Sequence, residues 1–424
     1  MRRVFNILEY GAMPDGGTLC TAHIQSAIND AGRCHGKVIV PPGVYLTGSL
    51  FLKTGIEFHL QEGAVLLGTT IEEAYPLLFT RVAGIEMEWP AALINIREQE
   101  DVSITGSGKI DGQGEFWWNK YWGQDRKGGM RKLYEEKGLR WAVDYDCTRP
   151  RNVLVWKSHN VDLKDFECVR SGFWNVHLCY SSNVFVEGIT IRDNAGPSTD
   201  GIDVDSCRNV RISGCHISCN DDSVCMKAGR DSDGLKVNKV CENIVVEDCV
   251  LGAGSGITLG SETSGGIRNI HIKGIQFNGT SCGFRIKSAR TRGGRIEDIQ
   301  VEDLKMVNVM VPFSFQLDWN PSYSYCEIPK TYHGIIPQHW IKMTKQVPLE
   351  QGIPTVRNVT VRNVTAELAE NYGGSSKAFD IEGFLEKPME NIRLDNIKIV
   401  AKKFGSIKGV KDCKWDAIDI SVFE

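Results

Sequence analysis

The amino-acid sequence predicts an all-β chain wound as a parallel β-helix, and three observations predict it. A nine-residue motif recurs: Asn or Asp, apolar, any, apolar, two small or polar residues, apolar, any, apolar. Within each copy apolar and polar residues alternate with period 2, the pattern of a strand with one buried face. A second short strand follows most copies, so that 20 to 35 residues make one unit. Units of that length stack as coils of a solenoid, each burying the apolar face of its neighbour. A propeller blade needs about 40 residues and four antiparallel strands, which these units do not supply.

The elements follow in chain order. Thr21 to Ala31 places Ile24, Ala27, Ile28 and Ala31 on one face at helical spacing. Thr21 is the expected N-cap and Gly32 the expected stop. A solenoid must cover its first coil, so this helix is the expected cap, with the first coils over residues 1–70. The motif then reads Asn160-Val161-Asp162-Leu163, Asn183-Val184-Phe185-Val186 and Asn209-Val210-Arg211-Ile212. Further copies start at Asn243, Asn269, Asp298, Asn358 and Asn391. From Asn160 onward the starts are 23, 26, 34, 26, 29, 60 and 33 residues apart. The recurrent Asn fits stacked turn residues whose amides hydrogen-bond from coil to coil. The gap of 60 is two periods with an insertion, about residues 318–352, rich in aromatics and Pro. A second insertion, about 112–148, holds Trp117, Trp118, Trp122 and Trp141 without the repeat and reads as a long loop. Second strands include Gly201-Ile202-Asp203-Val204, Ser223-Val224-Cys225-Met226, Gly256-Ile257-Thr258-Leu259 and Phe284-Arg285-Ile286-Lys287. All of this reads as one domain, 1–424.

Composition narrows the function classes. Charged residues are 24% and hydrophobic residues 42% of the chain, which is globular. A net charge of -4 is too near neutral for a nucleic-acid coat or a polybasic membrane binder. No stretch approaches 18 consecutive apolar residues. The first nine residues carry two Arg but no apolar core, so no signal peptide and a cytoplasmic location are expected. The 14 Cys are scattered, without CxxC pairs or His clusters, and read as buried small hydrophobes of a reducing compartment.

Chemistry concentrates in two acidic stretches. They are Ser198-Thr199-Asp200-Gly201-Ile202-Asp203 and Asn220-Asp221-Asp222-Ser223-Val224. Aligning Ile202 with Val224 puts Asp200 and Asp222 at equivalent positions on neighbouring rungs, about 4.8 Å apart. This requires a bend before each strand, since straight alternation would point both acids inward. Ser255 falls at the same position on the next rung, and Arg285 and Lys287 lie one rung further. Crowded carboxylates retain a proton, as acid–base cleavage of a glycosidic bond needs. A guanidinium beside them suits an anionic sugar. Trp174, one coil before Asp200, is placed to stack on a sugar, and His177 on that coil is a candidate cleft residue. Lys227 follows the Asp-Asp strand and is placed to steady the acids. Stacked turn Asp residues satisfied by backbone N–H or Ca²⁺ would give the same spacing.

These motifs resemble those of family 28 of the glycoside hydrolases, the polygalacturonases and rhamnogalacturonan hydrolases. That family carries Asn-Thr-Asp, Asp-Asp, Gly-His-Gly and Arg-Ile-Lys in order. Here they stand as Ser198-Thr199-Asp200, Asp221-Asp222, Gly254-Ser255-Gly256 and Arg285-Ile286-Lys287. The opening is also similar, with Tyr10-Gly11-Ala12, Asp15-Gly16 and Val40-Pro41-Pro42-Gly43-Val44-Tyr45. The resemblance implies a right-handed β-helix and inversion of configuration. It implies that Asp221 is the general acid and that Asp200 and Asp222 activate water. Arg285 and Lys287 would bind a substrate carboxylate. Ser198 replaces the family's Asn. Ser255 replaces its His, as in rhamnogalacturonan-type members. Gly229-Arg230-Asp231-Ser232-Asp233-Gly234 and Gly260-Ser261-Glu262-Thr263-Ser264-Gly265-Gly266 are similar to exo-acting bacterial members.

The expectation is an exo-acting hydrolase of pectic oligosaccharides, needing no metal or cofactor, with no nucleic-acid or membrane partner. The two insertions would wall one end of the cleft. Two rivals remain: a lyase whose Asp cluster holds Ca²⁺, and a binding solenoid without turnover.

Overall fold

The computed structural model describes residues 2–423. The chain winds into a right-handed parallel β-helix. One face is an eleven-stranded parallel sheet that begins at Leu50–Phe51 and Ile94–Arg97. It continues through Val153–Trp156, Val176–Cys179, Ile202–Asp205, Val224–Lys227, Ile257–Leu259 and Cys282–Lys287. It ends at Val311–Gln316, Lys377–Glu382 and Lys403–Lys408. The motif copies lie in a second, 22-stranded sheet together with the strands of the first coils.

Register explains the core. Ile94, Val153, Val176, Ile202, Val224, Ile257, Phe284, Phe313 and Phe379 pair in a row, and each is 0% exposed. Burying each such side chain is worth about 1.5–3 kcal/mol. The residues between them point outward and build the functional face.

The motif Asn residues turn the chain. Asn160, Asn183, Asn209, Asn243 and Asn269 have φ between 52° and 59°, a left-handed bend that Asn tolerates better than most residues. Their amides form the expected ladder: Asn183 donates to Asn160 at 3.2 Å, Asn209 to Asn183 at 3.1 Å and Asn243 to Asn209 at 2.9 Å. The ladder continues from Asn269 to Asn243 at 2.7 Å.

The helix Thr21–Gly32 buries Ile24, Ala27, Ile28 and Ala31 against the first coil. Its start differs from expectation. Cys20 is the N-cap, and the Thr21 hydroxyl instead accepts from the Gly48 N–H at 2.7 Å. Gly32 lies inside the helix, which ends at Arg33. The first insertion is not an irregular loop, as it holds short helices at Gly114–Trp122, Gly129–Glu136 and Val143–Asp146. The second holds helices at Pro321–Ser324, Gln338–Met343 and Leu349–Gly352. An antiparallel hairpin, Leu77–Val82 with Ile85–Pro90, also leaves the solenoid. The 14 cysteines are all free, and 11 are buried.

Candidate active site

The outward face of the eleven-stranded sheet carries the site. The chain bends before Ile202 and Val224, so the acids ahead of those strands leave the core while Ile202 and Val224 enter it. The rungs here are so close that a Cβ on Gly201 would lie 2.2 Å from the Ser223 carbonyl oxygen. The Gly201 N–H continues the ladder by donating to the Asp222 carbonyl at 2.9 Å.

Asp200, Asp221 and Asp222 converge, each offering a carboxylate oxygen within 4.8 Å of the others. Their environments differ. Asp222 is fully buried, yet Lys287 Nζ at 2.7 Å and Arg285 Nη1 at 3.7 Å hold its carboxyl far below the usual range. Thr258 donates to its other oxygen at 2.7 Å. Asp221 is the most accessible of the three, and burial and the Asp222 charge raise its pKa. Asp200 is raised further, by burial and by Asp203 and Asp221. One anion therefore lies beside two carboxyls whose burial and like-charged neighbours favour the protonated form.

Lys227 completes the floor. Its Nζ stands 3.6 Å from Asp200, 3.5 Å from Asp203 and 3.4 Å from Glu262, with the Trp174 ring 5.0 Å away. Asp203 is buried, and its carboxyl is pushed up to about 8, by burial first. Burial would raise Glu262 too, but Lys227, Arg292 and Lys287 hold it at about 2.

These groups line one pocket of about 520 Å³, part of it open to solvent. Asp200, Asp221, Asp222, Lys227, Lys287 and Trp174 all line it. Arg285 stands at its edge, with the Trp319 ring 5.6 Å from its guanidinium. Two expected residues are not brought in. His177 does point outward, but it is 0% exposed. The Arg81 guanidinium of the hairpin lies over this region, bound to Asp205 at 3.0 Å. His177 packs edge-on behind Trp174, accepts from Arg151, and has its pKa lowered to about 4 by burial. Ser255 contributes backbone instead: its N–H donates to the Asp221 carbonyl at 2.8 Å, and its hydroxyl meets Ser281 at 3.0 Å.

Sequence reasoning missed Thr258, Glu262, Arg140, Asp144, Trp319 and Tyr323. Glu262 stood inside a stretch already singled out. Arg140, Asp144, Trp319 and Tyr323 lie in the two insertions expected to wall the cleft, but no periodicity singles them out there, and Thr258 stood in a predicted strand with nothing to mark its role. Those insertions pack on one another. Trp340 meets Trp141 at 5.2 Å, and Arg230 donates to Tyr145 Oη at 2.7 Å and to the Tyr323 carbonyl at 2.6 Å.

The family model for glycosyl hydrolases family 28 matches residues 79–417. The chain belongs to that family. A probable polygalacturonase of Vitis vinifera is 29% identical, covering 98% of this chain and 77% of that relative. An exo-poly-alpha-D-galacturonosidase of Dickeya chrysanthemi is 25% identical, covering 99% and 71%. Among solved structures, a hyperthermoactive exopolygalacturonase from Thermotoga maritima superposes with a TM-score of 0.79 at 27% identity, covering 99% and 92%. A family 28 exopolygalacturonase of Yersinia enterocolitica shares the fold, with a TM-score of 0.76 at 20% identity, covering 100% and 79%. Against the family's motifs, this glycoside hydrolase keeps the three acids and both cations and carries Ser255 in place of His.

Proposed function

We propose that this family 28 hydrolase releases galacturonate from the end of pectic oligosaccharides, with inversion. One observation carries the exo reading. Asn95, Leu154, His177 and Asp203 face outward on four successive rungs, each 1% exposed or less, and the Arg81 guanidinium of the hairpin is laid over this stretch, bound to Asp205 at 3.0 Å. The hairpin and the first insertion cover the strip that a long, open cleft would need. The open side lies toward Arg285, on a later rung.

In this reading Asp221 protonates the leaving oxygen, as its raised pKa suits. Asp222 is the base, ionised by Lys287 and Arg285, and Asp200 helps it hold the attacking water. Carboxyls within 4.8 Å are closer than the roughly 6.5–9.5 Å usual for inverting pairs, a spacing that would also suit a nucleophile. Against that role, Lys287 and Thr258 each take a lone pair of Asp222 and Arg285 adds its charge at 3.7 Å, which weakens attack on carbon while leaving lone pairs to accept from water. Lys287 and Arg285 also suit the carboxylate of the leaving sugar. A Ca²⁺-dependent lyase fits less well, because the Lys227 and Lys287 ammonium groups occupy the flanks of the acid cluster.

The test is incubation with oligogalacturonides and rhamnogalacturonan oligosaccharides, with and without chelator. Saturated monogalacturonate, formed with chelator present and appearing first as the inverted anomer by proton NMR, supports the reading. Ultraviolet-absorbing ends would replace it with a lyase, and a retained anomer with a nucleophilic mechanism. The preferred substrate identifies the leaving sugar.

A further inference from the structure

An exo-acting enzyme must recognise a chain end, and this inference rests on that reading. The pocket wall facing the earlier rungs carries Arg140 and Asp144, both from the first insertion. Three cations line the pocket, and two of them lie against the acid cluster. Lys287 is bound to Asp222 at 2.7 Å, and Lys227 lies among three acidic side chains. Arg140 is different. Its side chain is 21% exposed, and Asp144 takes one of its donors at 2.6 Å. Glu135 stands 3.7 Å from a second nitrogen, and a guanidinium has five donors in all. The Tyr323 ring lies 5.7 Å from the guanidinium and limits where it can turn. Asp144 is nearly buried and tied to the catalytic turn, since Ser198 donates to it at 3.3 Å.

We propose that Arg140 and Asp144 read the free end of the substrate. Arg140 holds the carboxylate of the terminal galacturonate in its fork, as guanidinium groups do. Asp144 accepts a hydrogen bond from that sugar's 4-hydroxyl, the one group that distinguishes a chain end from an internal residue. The pair sits on the earlier-rung side of Asp221 and the leaving-group cations on the later-rung side, so the scissile bond falls between them.

The test uses three substrates of equal length. One is saturated trigalacturonate. The second has a 4,5-unsaturated terminal ring, which keeps the carboxylate and lacks the hydroxyl. The third is methyl-esterified on the terminal sugar, which keeps the hydroxyl and lacks the charge. Wild type should prefer the first by tenfold or more in kcat/KM, since a site built around a polar group rejects its absence by large factors. Arg140→Gln should erase discrimination against the ester alone, through KM, and Arg140→Lys should restore part of it. Asp144→Ala should erase discrimination against the unsaturated end alone, and Asp144→Asn should restore part of it. Unchanged melting temperatures separate recognition from folding. Equal rates on all three substrates, or variants that slow all three alike, overturn the reader and leave exo-hydrolysis standing. Wild type that cleaves no galacturonide overturns the parent reading.

Discussion

Asp221 and Asp222 are neighbours in sequence, yet the structure sets their carboxyls on opposite sides of the usual range. Burial disfavours both charges, but the Lys287 ammonium is hydrogen-bonded to Asp222 at 2.7 Å and outweighs it there, whereas Asp221 feels the same cation less than it feels burial and the Asp222 charge. Asp221→Asn, which cannot donate a proton to a leaving oxygen, should lower kcat by roughly 10²–10⁴-fold with an unchanged melting temperature. Lys287→Met should act on the other limb of the pH profile. Without its counter-charge Asp222 titrates higher, so kcat at saturating substrate should begin to fall at a pH at least one unit higher than in wild type as acid is added. Lys287→Arg should return that limb. An unmoved limb in Lys287→Met would mean that Asp222 is not the base. Asp203 gives a stability prediction of opposite sign. Its folded pKa of about 8 lies above the unfolded value near 3.8, so folding favours the protonated form. That contribution is complete below about pH 4 and is lost as pH rises through about 8. Asp203→Asn, neutral at every pH, should come closest to wild type at pH 4 and melt higher than wild type at pH 9, by a margin that grows between the two. Thermal melts at the two pH values check it.

The rung is the element of this fold, and its turn residue is the part the sequence stated most openly. Asn243 has φ 59°, donates to Asn209 at 2.9 Å and accepts from Asn269 at 2.7 Å. Asn243→Ala loses both bonds and leaves a Cβ in a left-handed bend without the polar side chain that lets Asn tolerate it, a bend that costs an ordinary L-residue about 1–2 kcal/mol. Asn243→Gly loses the bonds and keeps the bend free. The Ala variant should therefore be the less stable by about 1 kcal/mol, read from denaturant midpoints. Equal midpoints would show that the ladder, and not the bend, sets the preference for Asn. Period 2 and the Asn positions were legible because both are local consequences of one backbone shape. Asp200 and Asp222 were legible because Ile202 and Val224 fix the register from their own strands. The start of the first helix was misread, since the Thr21 hydroxyl turns to the Gly48 N–H, a partner 27 residues away. His177 was misread for the same kind of reason: its strand does point it outward, and only the distant Arg81 shows that the surface is covered.

At the scale of the molecule, a periodic solenoid carries aperiodic insertions, and the two have separate energetics. Each rung contacts only its neighbours, so stability adds rung by rung. The site occupies the rungs from Asp200 to Lys287 and the insertions above them. Three further rungs of the functional sheet follow, at Val311–Gln316, Lys377–Glu382 and Lys403–Lys408. The last is the most exposed, with Phe404 at 42% and Trp415 at 41% on its coil. Deleting residues 402–424 removes that coil and uncovers Phe379, Ile392 and Leu394, now 2% exposed or less. Two rungs would still separate the new end from Lys287. The truncated chain should melt lower and aggregate at lower concentration, because the newly exposed rung is more apolar than the present one. Its kcat/KM per soluble molecule should stay within about twofold of the full chain, as nearest-neighbour coupling leaves the site's own rungs intact. Calorimetry together with initial rates on the same preparation checks both halves. A fall in kcat/KM that parallels the fall in melting temperature would mean that strain travels along the solenoid and that its rungs do not act as independent units.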